Sequence, residues 1–599
     1  MKQLRRLLPY YGPYRAQLVA GLALVVISTA ITSLIPWFLR LGIDAMRSGA
    51  PFSRSLVVAG KIVAVGIVAG LMRYGMRQIL NTVSRRIEYD LRNDLFIHLE
   101  KLDASYFGRT RTGDLMARLT NDLGAVRMAA GPAVMYLMST IAGGLFALFF
   151  MLRIDVTLTV LALLPMIGLP AITAYLGKAV HRRFESVQEH FSTLTTHAQE
   201  NLSGTRIVRA YRQENAEIER FALLNEEYVR RNMTLARLYG TMFPMFALLA
   251  GLAAVVVLGV GGTLALRGTI SVGSFVAFGL YLNLLTWPLI ALGWVINLFQ
   301  RGSASMIRLM DILDAKPGFT ESCVAEQLSL PRASGGRSIE FRNVGFYFPP
   351  ADRQEPRWVL RNVSFMVPAG TTLGVVGSTG SGKTALIDLI PRLYDPQEGE
   401  ILIDGVPIRS VALHELRAAI GFVPQESLLF SDTIGANLAY GTTDQDGVEW
   451  AAGTAQLTET IRGFPGQFET MLGERGINLS GGQKQRASLA RALARRPSIV
   501  LLDDALSAVD THTEAEILRA LRDALTSRTA VIASHRVSAI RDASWIIVLD
   551  EGKVVEQGKH DQLMASEGRY WALLRRQQLV ESIEQSDDSE LQLEEGVNG

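Results

Sequence analysis

The stretch Thr371-Thr-Leu-Gly-Val-Val-Gly377-Ser378-Thr379-Gly380-Ser381-Gly382-Lys383-Thr384 decides the fold of the C-terminal half. A short β-rich run enters a glycine-rich segment of the form G-x-x-x-x-G-K-T, and Ala385 to Leu393 then reads as a helix. Strand, glycine loop and helix in that order make a phosphate-binding P-loop. The glycines let backbone N–H groups face phosphate oxygens, and the helix N-terminus adds its dipole. Lys383 is expected to reach the β- and γ-phosphates, and the Thr384 hydroxyl to ligate Mg²⁺. A glycine-rich turn matching by chance would not need the flanking strand and helix.

Two further apolar strands point the same way. Ser498-Ile-Val-Leu-Leu ends in Asp503-Asp504, and Thr529-Ala-Val-Ile-Ala-Ser ends in His535. A carboxylate at the end of a buried strand beside a P-loop is where a Mg²⁺–water partner belongs. Functional groups at the carboxyl ends of parallel strands fit the ligand crevice of a doubly wound sheet. Ahead of both lies Asn478-Leu479-Ser480-Gly481-Gly482-Gln483-Lys-Gln-Arg. Read alone, its serine could simply cap a helix. A hydroxyl and glycine amides at a helix start also bind anions, and with this chain's P-loop already assigned, the second site suits a partner chain's nucleotide.

Outward from these motifs, composition bounds the rest. The chain has 599 residues, 49% hydrophobic and 20% charged, with net charge +3 and a single cysteine, Cys323. Its mean hydropathy is +0.21. That excludes intrinsic disorder, an internal disulfide and zinc spacing, and offers no general case for nucleic-acid binding. So much apolar surface at this length implies a membrane part. A bilayer core about 30 Å thick needs roughly 20 apolar residues per helix. Six such stretches are read at about 16–39, 55–81, 129–152, 156–179, 241–266 and 270–298. The first is too long for a cleaved signal peptide. Segments 85–127 and 181–237 carry eight and nine Lys+Arg, against one each in the turns at Arg153 and Arg267. The positive-inside rule puts both long segments, and both chain ends, in the cytoplasm. Their patterning is helical, with Gly113 and Gly204 as places for a turn or a short transverse helix.

The expected organisation is a membrane domain over 1–310, a linker over 311–337, an ATPase domain over 338–575 and an acidic, disordered tail over 576–599. The last nineteen residues hold seven acidic and no basic side chains.

Taken together, the P-loop, Gln425 in Phe-Val-Pro-Gln, Leu479–Gln483, Leu501-Leu-Asp-Asp504, Ser507-Ala-Val-Asp510 and His535 resemble the ABC transporter ATPase. The six spans resemble the exporter half-transporter of that family, closest to bacterial heterodimeric multidrug-resistance-like transporters, so the resemblance covers nearly the whole chain. Gly113–Asp122 and Gln199–Val208 resemble its two coupling-loop segments. The fold implied is an α-helical membrane domain of six transmembrane helices followed by an α/β P-loop ATPase domain. The resemblance further implies two ATPs sandwiched between two such domains, with Ser480 and Gly482 on the γ-phosphate held by the partner. Gln425 would join Mg²⁺ and sense the γ-phosphate, and His535 would hold that phosphate and the attacking water. Phe348 is the best match for the adenine-stacking aromatic, with Tyr347 the runner-up.

Two departures matter. The residue after the Mg²⁺-binding Asp503 is normally the general-base glutamate, and here it is Asp504. Shortening by one methylene withdraws the carboxylate by about 1 Å, which can cost about 10²-fold. ATP binding should survive while hydrolysis at this P-loop is weak, unless a shifted water restores the base. An intact Leu479–Gln483 beside Asp504 favours a heterodimer with a glutamate-bearing paralogue. Met471 stands where the family usually has an acidic residue near Gly473-Glu-Arg-Gly476. The implied role is export of amphipathic drugs or lipids across the bacterial inner membrane, in contact with membrane lipids. A lipid flippase and an ATP-binding regulatory subunit are the alternatives. Of the charges in the second stretch (Lys61, Arg73, Arg77), Arg73 is the cavity candidate. Tyr281, Trp287, Trp294 and Phe299 suit the interfacial belt or packing better than a cavity. Pro288, Pro165 and Pro170 are places for a kink.

Overall fold

A computed structural model of the chain describes residues 2–318, 328–331, 335–348, 357–473, 476 and 478–579. Cys323, most of the acidic tail, Glu474 and Arg475 lie outside the described residues, as does the Trp287 side chain. The chain divides into two compact units, one of residues 1–101 and 112–315, the other of residues 102–111 and 316–599.

The first unit is helical. Its long elements are α1 (Arg15–Arg47) and α2 (Phe52–Leu99), then, past the short α3 (Ala104–Arg109), α4 (Pro132–Ile154) and α5 (Val156–Ser203), then, past the short α6 (Thr205–Ala210), α7 (Glu214–Val256) and α8 (Val272–Leu313). Among the described residues five helical runs are long and apolar enough to cross a membrane, and α5 adds the shorter apolar stretch Val156–Gly168. Val57, Val63, Ile67 and Leu71 of α2 are exposed, as a lipid-facing surface requires. Helices close up where side chains vanish. A Cβ on Gly21 would fall 2.6 Å from Leu80 Cδ2, and one on Gly302 2.3 Å from Ala129 Cβ. Tyr281 is wholly buried, stacked on Phe150 at 5.2 Å with its hydroxyl donating to Ser33 O, so it packs and does not sit in a belt. Trp294 packs edge-on to Tyr136. Arg73, within the second stretch, donates to Thr32 Oγ1 at 3.1 Å.

Polar ties join this unit at each end. Asp44 accepts from Ser271 Oγ at 2.6 Å and from Gly273 N at 2.9 Å, holding the end of α1 to the start of α8. At the other end Arg308 of α8 donates twice to buried Asp122, which also accepts from Ser305.

The two long basic segments are continuations of the spanning helices. The short helix after Gly204 is α6, but Gly113 lies inside a helix, Thr112–Ala117, and the short tip element precedes it as α3. Residues 102–111 group with the second unit and residues 113–122 with the first. Glycine alone marked the wrong side of the turn, because Asp103 in extended conformation starts the tip helix.

Among its described residues the second unit holds ten strands: β1 (Ile339–Phe346), β2 (Leu360–Val367), β3 (Thr372–Gly377), β4 (Glu398–Ile403), β5 (Val406–Pro407), β6 (Ile420–Val423), β7 (Ile499–Asp503), β8 (Thr529–Ala533), β9 (Trp545–Asp550) and β10 (Lys553–Gly558). One sheet has the order β2-β1-β4-β5 and is antiparallel. The other has the order β10-β9-β3-β8-β7-β6, parallel except for β10. The P-loop helix α9 (Lys383–Leu389) buries Leu386, Ile387 and Leu389 in a core shared by both sheets. A second core packs α10 (Gly481–Ala494), through Leu489, Ala490 and Leu493, against Val500 and Leu502 of β7.

Candidate nucleotide site

Strand β3 ends on Gly377 and α9 starts at Lys383, so residues 378–382 form the loop between them. Gly382 has φ +104, a conformation side chains avoid, and a Cβ on Gly377 would meet Leu549 O at 2.2 Å. The loop is therefore shaped for backbone approach. Ser381 Oγ is buried without a partner among the described residues. Lys383 is 5% exposed, and its Nζ donates to Gly377 O at 3.0 Å and Ser378 O at 3.1 Å and lies 3.3 Å from His535 Nδ1. Burial pulls its amine below the ordinary lysine value, against the pull of Asp504 and Asp503.

Strands β7 and β8 bring the acidic and imidazole groups to the same place. Asp503, the last residue of β7, is 1% exposed, with Oδ1 lacking a partner among the described residues. Burial pushes its carboxyl up, and the Thr384 hydroxyl opposes this. Asp504 follows in the left-handed region at φ +46, which aspartate tolerates better than most residues. Its Oδ1 accepts from His535 N at 2.9 Å, and its Oδ2 lies 3.2 Å from His535 Nε2.

An orphaned carboxylate oxygen beside a threonine hydroxyl fits Mg²⁺, which takes few protein ligands and completes its shell with phosphate oxygens and water. Thr384 and Asp503 would hold the ion. Among the described residues no group of three or more His, Cys, Asp or Glu could hold a metal alone. Gln425, exposed beyond β6, is the remaining candidate ligand.

The Ser480–Gln483 segment starts α10 with a capping box: Ser480 Oγ accepts from Gln483 N, and Gln483 Oε1 accepts from Ser480 N at 2.9 Å. The capping reading is thus observed, and Ser480 and Gly481 remain exposed. Phe348 is 44% exposed, edge-on to Tyr394 at 5.3 Å, whereas Tyr347 is edge-on to Trp358. Lys383, Asp503, Asp504 and His535 form one cluster. Phe348, Gln425 and Ser480–Gln483 make no hydrogen bond to it among the described residues. Met471 is exposed and bridges Thr433.

Three residues escaped the sequence reading. Gln485, two positions past Gln483, is buried; it donates to Ser507 Oγ and accepts from Ala508 N at 2.8 Å, tying α10 to the Ser507–Asp510 segment. Arg491, on the same helix, donates to Leu428 O, Asn437 O and Asn437 Oδ1, bracing the segment beyond Gln425. Asp388, one turn beyond Thr384, is pushed up to about 7 by burial and by Asp503. Of these, only the position of Gln485 beside the motif offered a signal.

Residues 18–289 match the family model described as the ABC transporter transmembrane region, and residues 360–507 the one described as ABC transporter. The probable multidrug resistance ABC transporter ATP-binding/permease protein YheI of Bacillus subtilis is 35% identical, over 97% of this chain and 98% of that protein. The multidrug resistance-like ATP-binding protein MdlA of Escherichia coli is 35% identical over 97% of each. The ATP-dependent lipid A-core flippase of Syntrophus aciditrophicus is 33% identical over 95% and 93%. A solved bacterial Atm1-family ABC exporter with ATP bound superposes with TM-score 0.75 at 29% identity, covering 94% of this chain and 98% of that one.

Proposed function

This chain belongs to the ABC transporter family, as an exporter with fused transmembrane and ATP-binding domains, and from that premise we propose that it exports amphipathic drugs or lipids as the weak-site subunit of a heterodimer. The observation that carries this reading is Asp504: a short carboxylate, 6% exposed, drawn onto the His535 backbone at the place where water must be activated. The P-loop backbone and Lys383 bind the phosphates of ATP, and Phe348 stacks on the adenine. Bound Mg²⁺ supplies charge neutralisation on the phosphates. His535 orients the γ-phosphate, and Asp504 polarises the attacking water at reduced efficiency. Ser480 and Gly482 complete the site whose P-loop belongs to the partner, a half-transporter with glutamate at the matching position. Amphipathic cargo is in keeping with relatives named for multidrug resistance and for lipid A-core flipping. Residence in the bacterial inner membrane is part of the same proposal.

Co-purification with the paralogue tests the heterodimer. The chain alone should bind ATP and hydrolyse it slowly, and the pair should drive cargo into inside-out vesicles. Hydrolysis by the lone chain at ordinary transporter rates would sink the idea. ATP-dependent movement of lipid alone would assign a flippase, and no ATP-dependent accumulation of any cargo would leave a regulatory subunit.

A further inference from the structure

Where α5 and α7 leave the membrane, a cleft of about 320 Å³ opens between them, lined by Arg183, Ser186, Glu227, Arg230, Arg231 and Thr234. We propose that it holds the phosphate of an anionic glycerophospholipid from the cytoplasmic leaflet.

The charges are unbalanced. Glu227 is shared by Arg230 and by Arg231, whose Nε donates to Oε1 at 2.6 Å. Arg231 is oriented further by NH1 donating to the Ser186 carbonyl and hydroxyl, both at 3.2 Å. Arg183 is exposed and has no partner among the described residues. Three guanidinium groups thus face one carboxylate, and the nearby Glu185 is held by His181 at 3.1 Å. The Thr234 hydroxyl donates to Arg230 O. A fixed arginine fork next to a free one, with the Ser186 hydroxyl beside them, is the chemistry that binds phosphate oxygens.

The level of the cleft selects the source of that phosphate. The two helices run antiparallel, with Phe191 against Tyr228 at 5.5 Å, His190 Nε2 on Leu224 O at 2.8 Å and Arg231 on Ser186. Continuing this register sets Lys178, at the end of the fourth apolar stretch, level with Tyr239, an exposed aromatic ahead of the fifth. Arg183 stands five residues beyond Lys178, about 7.5 Å along the helix. The headgroup layer extends about 5–8 Å beyond the hydrocarbon core. Arg183 therefore lies at headgroup depth, and Arg230 and Arg231, about one turn farther, reach back on their long stems. Basic pockets at this level of a helix bundle recruit anionic headgroups. The inference rests on the cytoplasmic placement of these ends, not on the Asp504 reading.

The test uses delipidated full-length protein in neutral detergent, titrated with phosphatidylglycerol, phosphatidylcholine or inorganic phosphate. Native mass spectrometry reads retained lipid, and ATP binding is measured in parallel as a check on folding. The wild type should retain phosphatidylglycerol over phosphatidylcholine, resist displacement by inorganic phosphate, and lose affinity as salt rises. At about 1 kcal/mol per surface arginine, or about fivefold, Arg183→Gln with Arg230→Gln should weaken phosphatidylglycerol binding about 25-fold while ATP binding persists. Equal retention of both lipids, displacement by phosphate at matched concentration, or salt-independent binding each overturns the proposal, and these three need no variant. An unchanged phosphatidylglycerol affinity in a double variant that still binds ATP overturns it as well. A failure of the heterodimer model changes ATP turnover and leaves this lipid readout untouched.

Discussion

The carboxylate of Asp504 and the backbone N–H of His535 are joined at 2.9 Å, and the same two residues meet again through Oδ2 and Nε2 at 3.2 Å. One carboxylate therefore anchors the loop after β8 and is also the base proposed above. An aspartate so engaged has its lone pairs directed at protein donors, whereas a residue one methylene longer could satisfy the loop and still extend toward phosphate and water.

Replacing Asp504→Glu in the assembled pair should accordingly raise ATP turnover by about 10- to 100-fold. Asp504→Asn should leave ATP binding intact and remove the residual rate at this site. Phosphate release by the reconstituted complex, with nucleotide binding measured separately, checks both. No gain on Asp504→Glu would mean that a shifted water already lets aspartate serve as base.

Asp388 sets a pH dependence on the nucleotide-binding unit. Its carboxyl is moved from 3.8 to about 7. The folded state therefore holds this proton more tightly than the unfolded state. The stabilisation is full below about pH 4 and is lost as pH rises through about 7. At about pH 8 the folded protein carries a poorly solvated charge, and Asp388→Asn should relieve it by about 2–4 kcal/mol. The thermal midpoint of nucleotide-free protein should rise on substitution at about pH 8 and change much less at about pH 5. Equal shifts at both values would show that the carboxyl is not held protonated.

What could be read from residues alone follows from how local each signal is. The P-loop is contiguous: strand, glycines and lysine lie within fourteen residues, and each constrains the backbone where it stands. The spanning helices were equally plain, since a bilayer imposes length and apolarity without reference to neighbours. Asp388 and Arg491 were silent, and Gln485 signalled only by its place beside the motif, because each acts through a partner distant in sequence: Asp503, Leu428 and Ala508. Gly113 misled for a related reason. A glycine permits a turn but does not require one, and the helical pattern of Thr112–Ala117 prevailed.

Asp122 and Arg308 fasten the helical run below the third span to α8. Burial alone would raise the Asp122 carboxyl, but hydrogen bonds from Arg308 and Ser305 bring it below its ordinary value. That contribution is present above about pH 4 and lost as pH falls further. Asp122→Asn keeps the shape and gives up charge-assisted bonds, each worth about 1.5–3 kcal/mol. We expect a lower thermal midpoint at about pH 7 and a smaller difference from wild type once pH falls to about 3. Ser305→Ala should cost less, since it removes only one neutral donor.

Arg491 is the point where the signature helix touches the segment beyond Gln425. Its guanidinium makes three donations, to Leu428 O, Asn437 O and Asn437 Oδ1, and lies 5.6 Å from the Phe430 ring and 5.8 Å from the Tyr440 ring. Phe430 and Asn437 are themselves doubly bonded, Phe430 N to Asn437 Oδ1 and Asn437 Nδ2 to Phe430 O. Removing the guanidinium leaves two carbonyls and an amide oxygen short of donors, a loss of about 2–4 kcal/mol. Arg491→Ala should therefore make residues 425–440 susceptible to limited proteolysis, lower the thermal midpoint and reduce cargo-stimulated ATPase more than ATP binding. Arg491→Lys keeps the charge but has no planar fork, so it should restore only part of the protease resistance. If Arg491→Ala left both the cleavage pattern and the stimulation as in wild type, the clamp would carry no mechanical link from α10 to Gln425.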